Sequence, residues 1–248
     1  MNPLGRFSDR ALDYAQYRPT YPTEAIDQIL TGLGEASQLI VGDIGAGTGI
    51  SSRLLADRGI RVIAIEPNLE MRQAAETHPL VDFREGTAEN TNLADDSVDL
   101  VSCFQSFHWF DPEPTMLEFR RILKPQGRVA LVWNLDNRDH EFTQRYEELI
   151  EKICEDYPSR KSFASEKVLE ENSLFPNFTE NSFTHRQEFN LKGLIGLMMS
   201  HSFVPRSGMV HQQLISGLGE LFDRFVDENG KVYLAYRTNL YLASCPDL

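Results

Sequence analysis

Two chemistry-bearing features stand close together in the first third of the chain. One is the run Asp43-Ile44-Gly45-Ala46-Gly47-Thr48-Gly49, and the other is the carboxylate Glu66, 17 residues after Gly49. Glycines in such a run let the backbone turn tightly against a ligand. The apolar lead-in Leu39-Ile40-Val41 predicts a buried strand over about 39–44, and Ser51 to Asp57 opens a helix. A second strand over 61–65 delivers Glu66 to the carboxyl edge of a parallel sheet, where a carboxylate can accept hydrogen bonds from both hydroxyls of a ribose. Together these residues describe the adenosyl-binding half of a nucleotide-type α/β fold.

The spacing separates two cofactor classes. A dinucleotide fingerprint requires Gly or Ala at the third position of Gly-x-Gly-x-x-Gly, and Ile50 stands there. A pyrophosphate needs helix N-terminal amides brought very close. S-adenosylmethionine carries no phosphate and needs only a bend that clears its methionine arm, which Asp-x-Gly-x-Gly-x-Gly supplies. Asp43, at the strand end, is placed to meet that cofactor's ammonium directly or through water.

On these residues the chain resembles the class I S-adenosylmethionine-dependent methyltransferases, in the small-molecule branch of the methyltransferase type 11 family. The resemblance runs from Tyr14 to about Asn134 and includes Tyr17-Arg18-Pro19-Thr20-Tyr21-Pro22 and His108-Trp109-Phe110. It implies a doubly wound α/β fold with a mostly parallel seven-stranded sheet. It also implies a lid that folds over the cofactor from the segment containing Tyr14, Tyr17, Arg18 and Tyr21, with Arg18 pairing with the cofactor's carboxylate. Cofactor contacts are implied for Asp43, Gly45, Ala46, Gly47 and Gly49 of the first motif and for Glu66 and Pro67 of the acidic loop. Thr87, Ala88 and Glu89 match the adenine-holding segment; Thr87 replaces the Asp of many relatives, so its hydroxyl is the weaker acceptor for the adenine amino group.

Phe104, Gln105 and His108 follow the fourth expected strand, at the edge where open α/β sheets bind ligands. His108 is the candidate catalytic residue, as base or as donor to the acceptor; its plainer reading is an imidazole packed against the methionine arm. Trp109 and Phe110 read as a wall near the sulfonium, with some cation–π attraction, or as the hydrophobic rim of the sheet. Methyl transfer is an in-line displacement that depends mainly on alignment. A hydroxyl acceptor needs a base, whereas a carboxylate is already nucleophilic at neutral pH.

The elements that position these residues follow from periodicity. Strands are expected at about 39–44, 61–65, 81–85, 98–104, 128–133 and 183–191. The alternation of Val232, Leu234, Tyr236, Thr238, Leu240 and Leu242 marks a last strand over 231–244. The family resemblance makes that strand antiparallel and inserts it between the fifth and sixth. Helices are expected at about 23–30, 50–58, 69–76, 113–123, 141–154, 191–201 and 208–225, with Lys124-Pro125-Gln126-Gly127 as a stop and turn. One domain over 1–248 is expected: 1–35 lid and helix, 36–135 cofactor-binding core, 136–182 helical insertion, 183–248 the elements that complete the sheet and acceptor pocket.

Composition bounds the rest. The 37 acidic residues against 24 basic ones give a formal charge of −13, which repels phosphodiester backbones and argues against nucleic acid as partner. The second-ranked reading, a nucleic-acid or protein methyltransferase, is further weakened because Gln105-Ser106-Phe107-His108 stands where an amino-methyltransferase carries Asp/Asn-Pro-Pro-Tyr/Phe. A binding protein without turnover is a third reading. Three distant cysteines suggest a reducing compartment and no disulfide frame. The start Met1-Asn2-Pro3-Leu4 lacks the apolar core of a signal peptide and no run reaches membrane-spanning length, so the cytoplasm is the expected location. No metal site is expected, and the acidic residues of Glu147 to Asp156 and Asp95-Asp96 are expected to be solvated. The leading expectation is a methyltransferase that uses S-adenosylmethionine on a small organic acceptor, a carboxylic acid or a hydroxyl compound.

Overall fold

The computed structural model describes residues 8–154 and 165–246. The start of the expected lid (residues 1–7), the middle of the expected insertion, with Asp156, and the last two residues lie outside them. The apolar runs form a seven-stranded sheet: β1 (Ile40–Ile44), β2 (Arg61–Ile65), β3 (Val81–Arg84), β4 (Val98–Phe104), β5 (Leu123–Asp136), β6 (Thr179–Phe189) and β7 (Val232–Ser244). Its order is β3-β2-β1-β4-β5-β7-β6. The first five strands are parallel, and β7 runs antiparallel to both β5 and β6. Strand order reverses between β1 and β4, and an open α/β sheet leaves its ligand crevice at that reversal, beyond the carboxyl ends of the strands.

Helices cover both faces: α1 (Ala11–Tyr17), α2 (Thr23–Leu30), α3 (Ile50–Ala56), α4 (Leu69–Gln73), α5 (Pro112–Ile122), α6 (Glu141–Ile153), α7 (Ser165–Glu170), α8 (Leu191–Met199) and α9 (Gly208–Phe225). Ile26 and Ile29 of α2 and Leu55 of α3 pack with Val41, Val62 and Leu100 on one face. Met116, Phe119 and Ile122 of α5 pack with Ile44, Val101 and Leu131 on the other. A third core forms where α6, α8 and α9 close over the leading half of β7 through Tyr146, Leu194, Leu218, Leu234 and Tyr236. The period-two residues Val232 to Leu242 are all buried, so the alternation identified the strand and its buried face together.

Several expectations change in detail. β5 starts at Leu123, because Leu123 already pairs with Val98; the ladder then resumes at Leu100 and Arg128. Residues 124–127, expected as a turn between helix and strand, stand out of the ladder inside the strand, with Gln126 at φ 64°. α4 is shorter than expected, β6 begins earlier, and α7 has no counterpart among the expected elements. Glu147 is buried, not solvated, with Arg138 at 3.3 Å.

A buried polar cluster holds the segment after β3 to α5. Glu118 Oε1 accepts from the Thr91 amide at 2.8 Å and the Thr91 hydroxyl at 2.6 Å, and Arg121 donates to both carboxylate oxygens. Burial raises the Glu118 pKa, but the bonds from Arg121 and Thr91 outweigh it and hold the carboxyl below its ordinary value. A depressed folded pKa contributes stability above the unfolded value, near 4.3, that is lost as pH falls through the folded value. Glu118→Gln is therefore expected to cost about 1–2 kcal/mol at pH 7 and to flatten the acid limb of stability between about pH 5 and pH 3. Urea unfolding of both proteins across that range checks it; a difference that stays constant with pH would contradict the assignment.

Candidate functional site

The glycine run forms the turn between β1 and α3. The Gly45 and Ala46 amides both donate to Ile65 O, at 2.8 and 3.1 Å, which ties the turn to the end of β2. Gly45 adopts φ 69°, and a Cβ there would stand 2.6 Å from Ser106 Cβ. Gly49 adopts φ 74°, and a Cβ there would meet Phe83 Cζ at 2.6 Å. These two glycines thus admit other parts of the protein, and Gly49 does not line the cavity. Gly45, Ala46 and Gly47 do.

Glu66, at the end of β2, closes the other side of the turn. Its Oε2 accepts from the Gly47 amide at 2.8 Å and its Oε1 from the Asn68 amide at 2.9 Å. Each carboxylate oxygen retains a lone pair for a further donor. The side chain is almost buried, and burial raises its pKa against the two amide bonds and the nearby Arg72 charge, with Asp43 adding a smaller upward push. Asn68 accepts from the Met71 amide and so starts α4, which brings Met71 to the cavity wall.

Asp43 is corrected. Its side chain is fully buried beneath the turn and does not line the cavity. Oδ2 accepts from the Ser51 and Ser52 hydroxyls at 2.7 and 2.6 Å, and Oδ1 from Ser102 at 2.9 Å. Three hydroxyls engage the carboxylate inside the protein, and one acceptor site of Oδ1 is left over. Burial raises its pKa against those three bonds.

The cavity above the turn has a volume of about 390 Å³. Its far wall is the segment after β3: Thr87, Ala88 and Glu89 line it, with Ala88 buried. Thr87 Oγ1 accepts from the Asn90 amide at 3.2 Å, and Glu89 Oε1 from the Asp111 amide at 3.0 Å. Pro67 completes this side. From β4 come Phe104, Gln105, Ser106, Trp109 and Phe110. Gln105 holds φ 54°, an uncommon conformation for a side-chain-bearing residue, fixed by its amide to Val132 O at 2.9 Å and its side chain to Asn134 O at 2.8 Å. Ser106 donates to Ile44 O at 2.8 Å and joins this loop to β1. His108 is half-buried beside Trp109, ring centroids 4.8 Å apart, and is not among the lining residues.

Tyr14, Arg18, Pro19 and Tyr21 form the roof. Tyr17, expected in this cluster, turns instead to α8, where the bare Cα of Gly196 leaves room for its ring. Tyr21 packs edge-on against Phe104, with centroids 4.7 Å apart. Arg18 lies over the Tyr14 ring at 4.9 Å and donates to Ser200 O at 3.3 Å; its Nε is buried and meets no protein acceptor. The Thr48 hydroxyl is likewise buried without a protein partner in a residue that lines the cavity. Sequence reasoning did not assign Thr48, Met71 or Ser106. Thr48 was detectable as the one hydroxyl within the glycine run, whereas nothing local marks the other two.

Among the described residues no group of three or more His, Cys, Asp or Glu is placed to hold a metal ion, and no helix is long and apolar enough to cross a membrane. A family described as a methyltransferase domain matches residues 42–131. An uncharacterized methyltransferase of Schizosaccharomyces pombe is 34% identical over 211 residues, 82% of this chain and 81% of that protein. A malonyl-[acyl-carrier protein] O-methyltransferase of Pectobacterium atrosepticum is 34% identical over 125 residues, 50% of this chain and 49% of that protein. A solved structure of a candidate type II methyltransferase from Anaeromyxobacter dehalogenans shares the fold, with a TM-score of 0.68 at 22% identity over 92% of this chain and 97% of that one. With its strand order, its glycine turn and these relatives, the chain belongs to the class I S-adenosylmethionine-dependent methyltransferases.

Proposed function

We propose that this chain methylates a small organic acid, with a carboxylate oxygen as the acceptor atom and S-adenosylmethionine as the donor. The observation that carries the choice of acceptor is the wall after β4: Gln105, Ser106, Trp109 and Phe110 line the cavity and His108 does not. Among the described lining residues there is no imidazole and no lysine, and the two carboxylates that could take a proton, Glu66 and Glu89, already accept from backbone amides. An ordinary carboxylic acid is ionised at neutral pH and needs no base, unlike a hydroxyl or phenol. The name of the Pectobacterium relative, malonyl-[acyl-carrier protein] O-methyltransferase, supports an oxygen as the acceptor atom, there on an acyl group carried by a protein.

The residues present fit the cofactor. A cavity of about 390 Å³ falls within the usual range of about 300–1,000 Å³ for small-molecule sites. The bare Cα of Gly47 keeps the cavity open beneath Tyr14 and Met71, and the Thr48 hydroxyl and Arg18 Nε are buried polar atoms that a polar ligand would satisfy. Bound there, S-adenosylmethionine supplies an electrophilic methyl group on a sulfonium. Glu66 would accept from the ribose hydroxyls with its remaining lone pairs, the backbone of Ala88 would meet the adenine edge, and Arg18 would pair with the methionine carboxylate. Thr87 would help less, because its oxygen already accepts from Asn90. Asp43 would act through the turn that it braces. Trp109 and Phe110 would exclude water and align the acceptor, and their ring faces favour a neighbouring cation.

Glu66→Ala is expected to weaken S-adenosylmethionine and S-adenosylhomocysteine alike by roughly ten- to a hundredfold, the loss of a buried charge-assisted hydrogen bond. Calorimetry checks it, and tight binding of NAD with no heat from either adenosyl ligand would end the cofactor assignment.

His108→Gln is expected to keep most of the turnover of an acid acceptor, while Trp109→Ala costs more because it opens the site to water. Rates at saturating cofactor across pH distinguish the two roles of His108. A loss of about a hundredfold in the His108 variant, with a wild-type rate that rises through about pH 6.5, would instead make it a general base and the acceptor a hydroxyl.

A further inference from the structure

Beyond Gln105 the carboxyl edge of the sheet carries a chain of polar contacts that crosses from β4 to β6. Gln105 donates to Asn134 O, and Asn134 Nδ2 donates to Thr20 O at 2.9 Å beneath the roof segment. Thr238 Oγ1 donates to Asn134 Oδ1 at 2.6 Å and stands 3.3 Å from His185 Nδ1. These contacts fix the register of β7 against β5, in which Asn134 faces Thr238 and Asp136 faces Tyr236. Tyr236 therefore stands farther out along the strand than Thr238, toward the edge where the cavity lies. Its ring stacks on His185, with centroids 5.2 Å apart and planes 27° apart.

Tyr236 is 4% exposed, and its hydroxyl has no hydrogen-bond partner. It belongs to the third core, among side chains of α6, α8 and α9. Burying a phenol without a partner is costly, and the aromatic ring alone would fill the space without that cost. Arg18, Pro19 and Gln105 line the cavity, and Tyr17, the residue before Arg18, packs against the core that holds Tyr236. Tyr236 thus belongs to the core on which the start of the roof segment rests. Burial, reinforced by Asp136, Tyr146 and Glu147 against Arg18, raises its pKa well above the ordinary phenol value, so it is a donor and not a base.

Resting on the carboxylate reading above, we propose that the Tyr236 hydroxyl seats the acceptor by donating to the carboxylate oxygen that is not methylated. Because Tyr236 does not itself line the cavity, this requires Arg18 and Pro19 to move aside when the ligands bind. The bond orients the acid so that its other oxygen faces the cofactor, and it discriminates against acceptors that lack an acidic oxygen pair.

Tyr236→Phe tests this directly because it keeps the ring and removes only the unpartnered oxygen. Succinate, glutarate, benzoate and phenylacetate serve as probes, with catechol as the hydroxyl control. They are measured for binding to the S-adenosylhomocysteine complex and for transfer of a labelled methyl group. For the variant we expect an unfolding midpoint equal to or above the wild type, unchanged affinity for S-adenosylhomocysteine, and a KM for the accepted acid raised roughly ten- to a hundredfold. A merely structural tyrosine would not combine retained stability with a damaged KM. An unchanged KM overturns the proposal, as does a parallel loss of stability and cofactor affinity. If the wild type binds S-adenosylhomocysteine but neither binds nor methylates any of the acids, the acceptor inference falls while the cofactor assignment stands. If it binds no adenosyl ligand, the cofactor assignment falls, and the inference with it.

Discussion

The site hangs on one carboxylate that never reaches it. Asp43 sits at the strand-order reversal, and its three serine partners come from the start of α3 and from β4. A buried charge is tolerated only where hydrogen bonds replace its lost hydration. Satisfying Asp43 therefore fixes three elements relative to one another, and those elements carry the glycine turn and the loop with Gln105 and Ser106. Ser106 adds a second tie from that loop to Ile44 O. The walls of the cleft are thus held from below, by groups that a ligand does not touch.

Glu66 transmits that order to the surface where the ligand binds. It grips the Gly47 and Asn68 amides at once, so the turn after β1 and the loop after β2 share a single carboxylate. Removing the side chain would both delete a ligand contact and release two backbone amides. A loss of affinity in such a variant combines the two effects. Asp43 and Glu66 also oppose each other's charge, since Asp43 contributes to the raised pKa of Glu66.

The cofactor half of the molecule was legible because its signals are local. Glycines at positive φ, an acidic residue after a short apolar strand, and period-two or helical spacing all report on a few neighbouring residues. They located β1, β2, β4 and β7, and α2 and α9, within a residue or so. The same local view did not find the hydroxyl partners of Asp43, because they sit eight, nine and 59 residues away. Glu147 was misread for a similar reason: an acidic stretch looks solvated until Arg138 is folded against it. The turn residues 124–127 were recognised, but a turn between helix and strand and an excursion within a strand have the same composition. Only the pairing of Leu123 with Val98 separates them.

The acceptor half was less legible because it is assembled from distant pieces, each of which is ordinary alone. The roof comes from α1 and the segment after it, the polar chain from β4, β5, β6 and β7, and the surrounding core from α6, α8 and α9. Polar accounting marks this region, as it also marks Thr115 in α5. Most buried polar atoms in a folded protein have partners, so atoms without one mark places where stability has yielded to something else. Here Thr48 Oγ1 and Arg18 Nε fall on cavity-lining residues, and Tyr236 Oη and His185 Nε2 fall on a stacked pair. The first two are explained by a polar cofactor. The second two lie on paired residues of β6 and β7 beside the carboxyl end of β5, the same edge of the sheet as the glycine turn, and that is where a second ligand aligned with the first would stand.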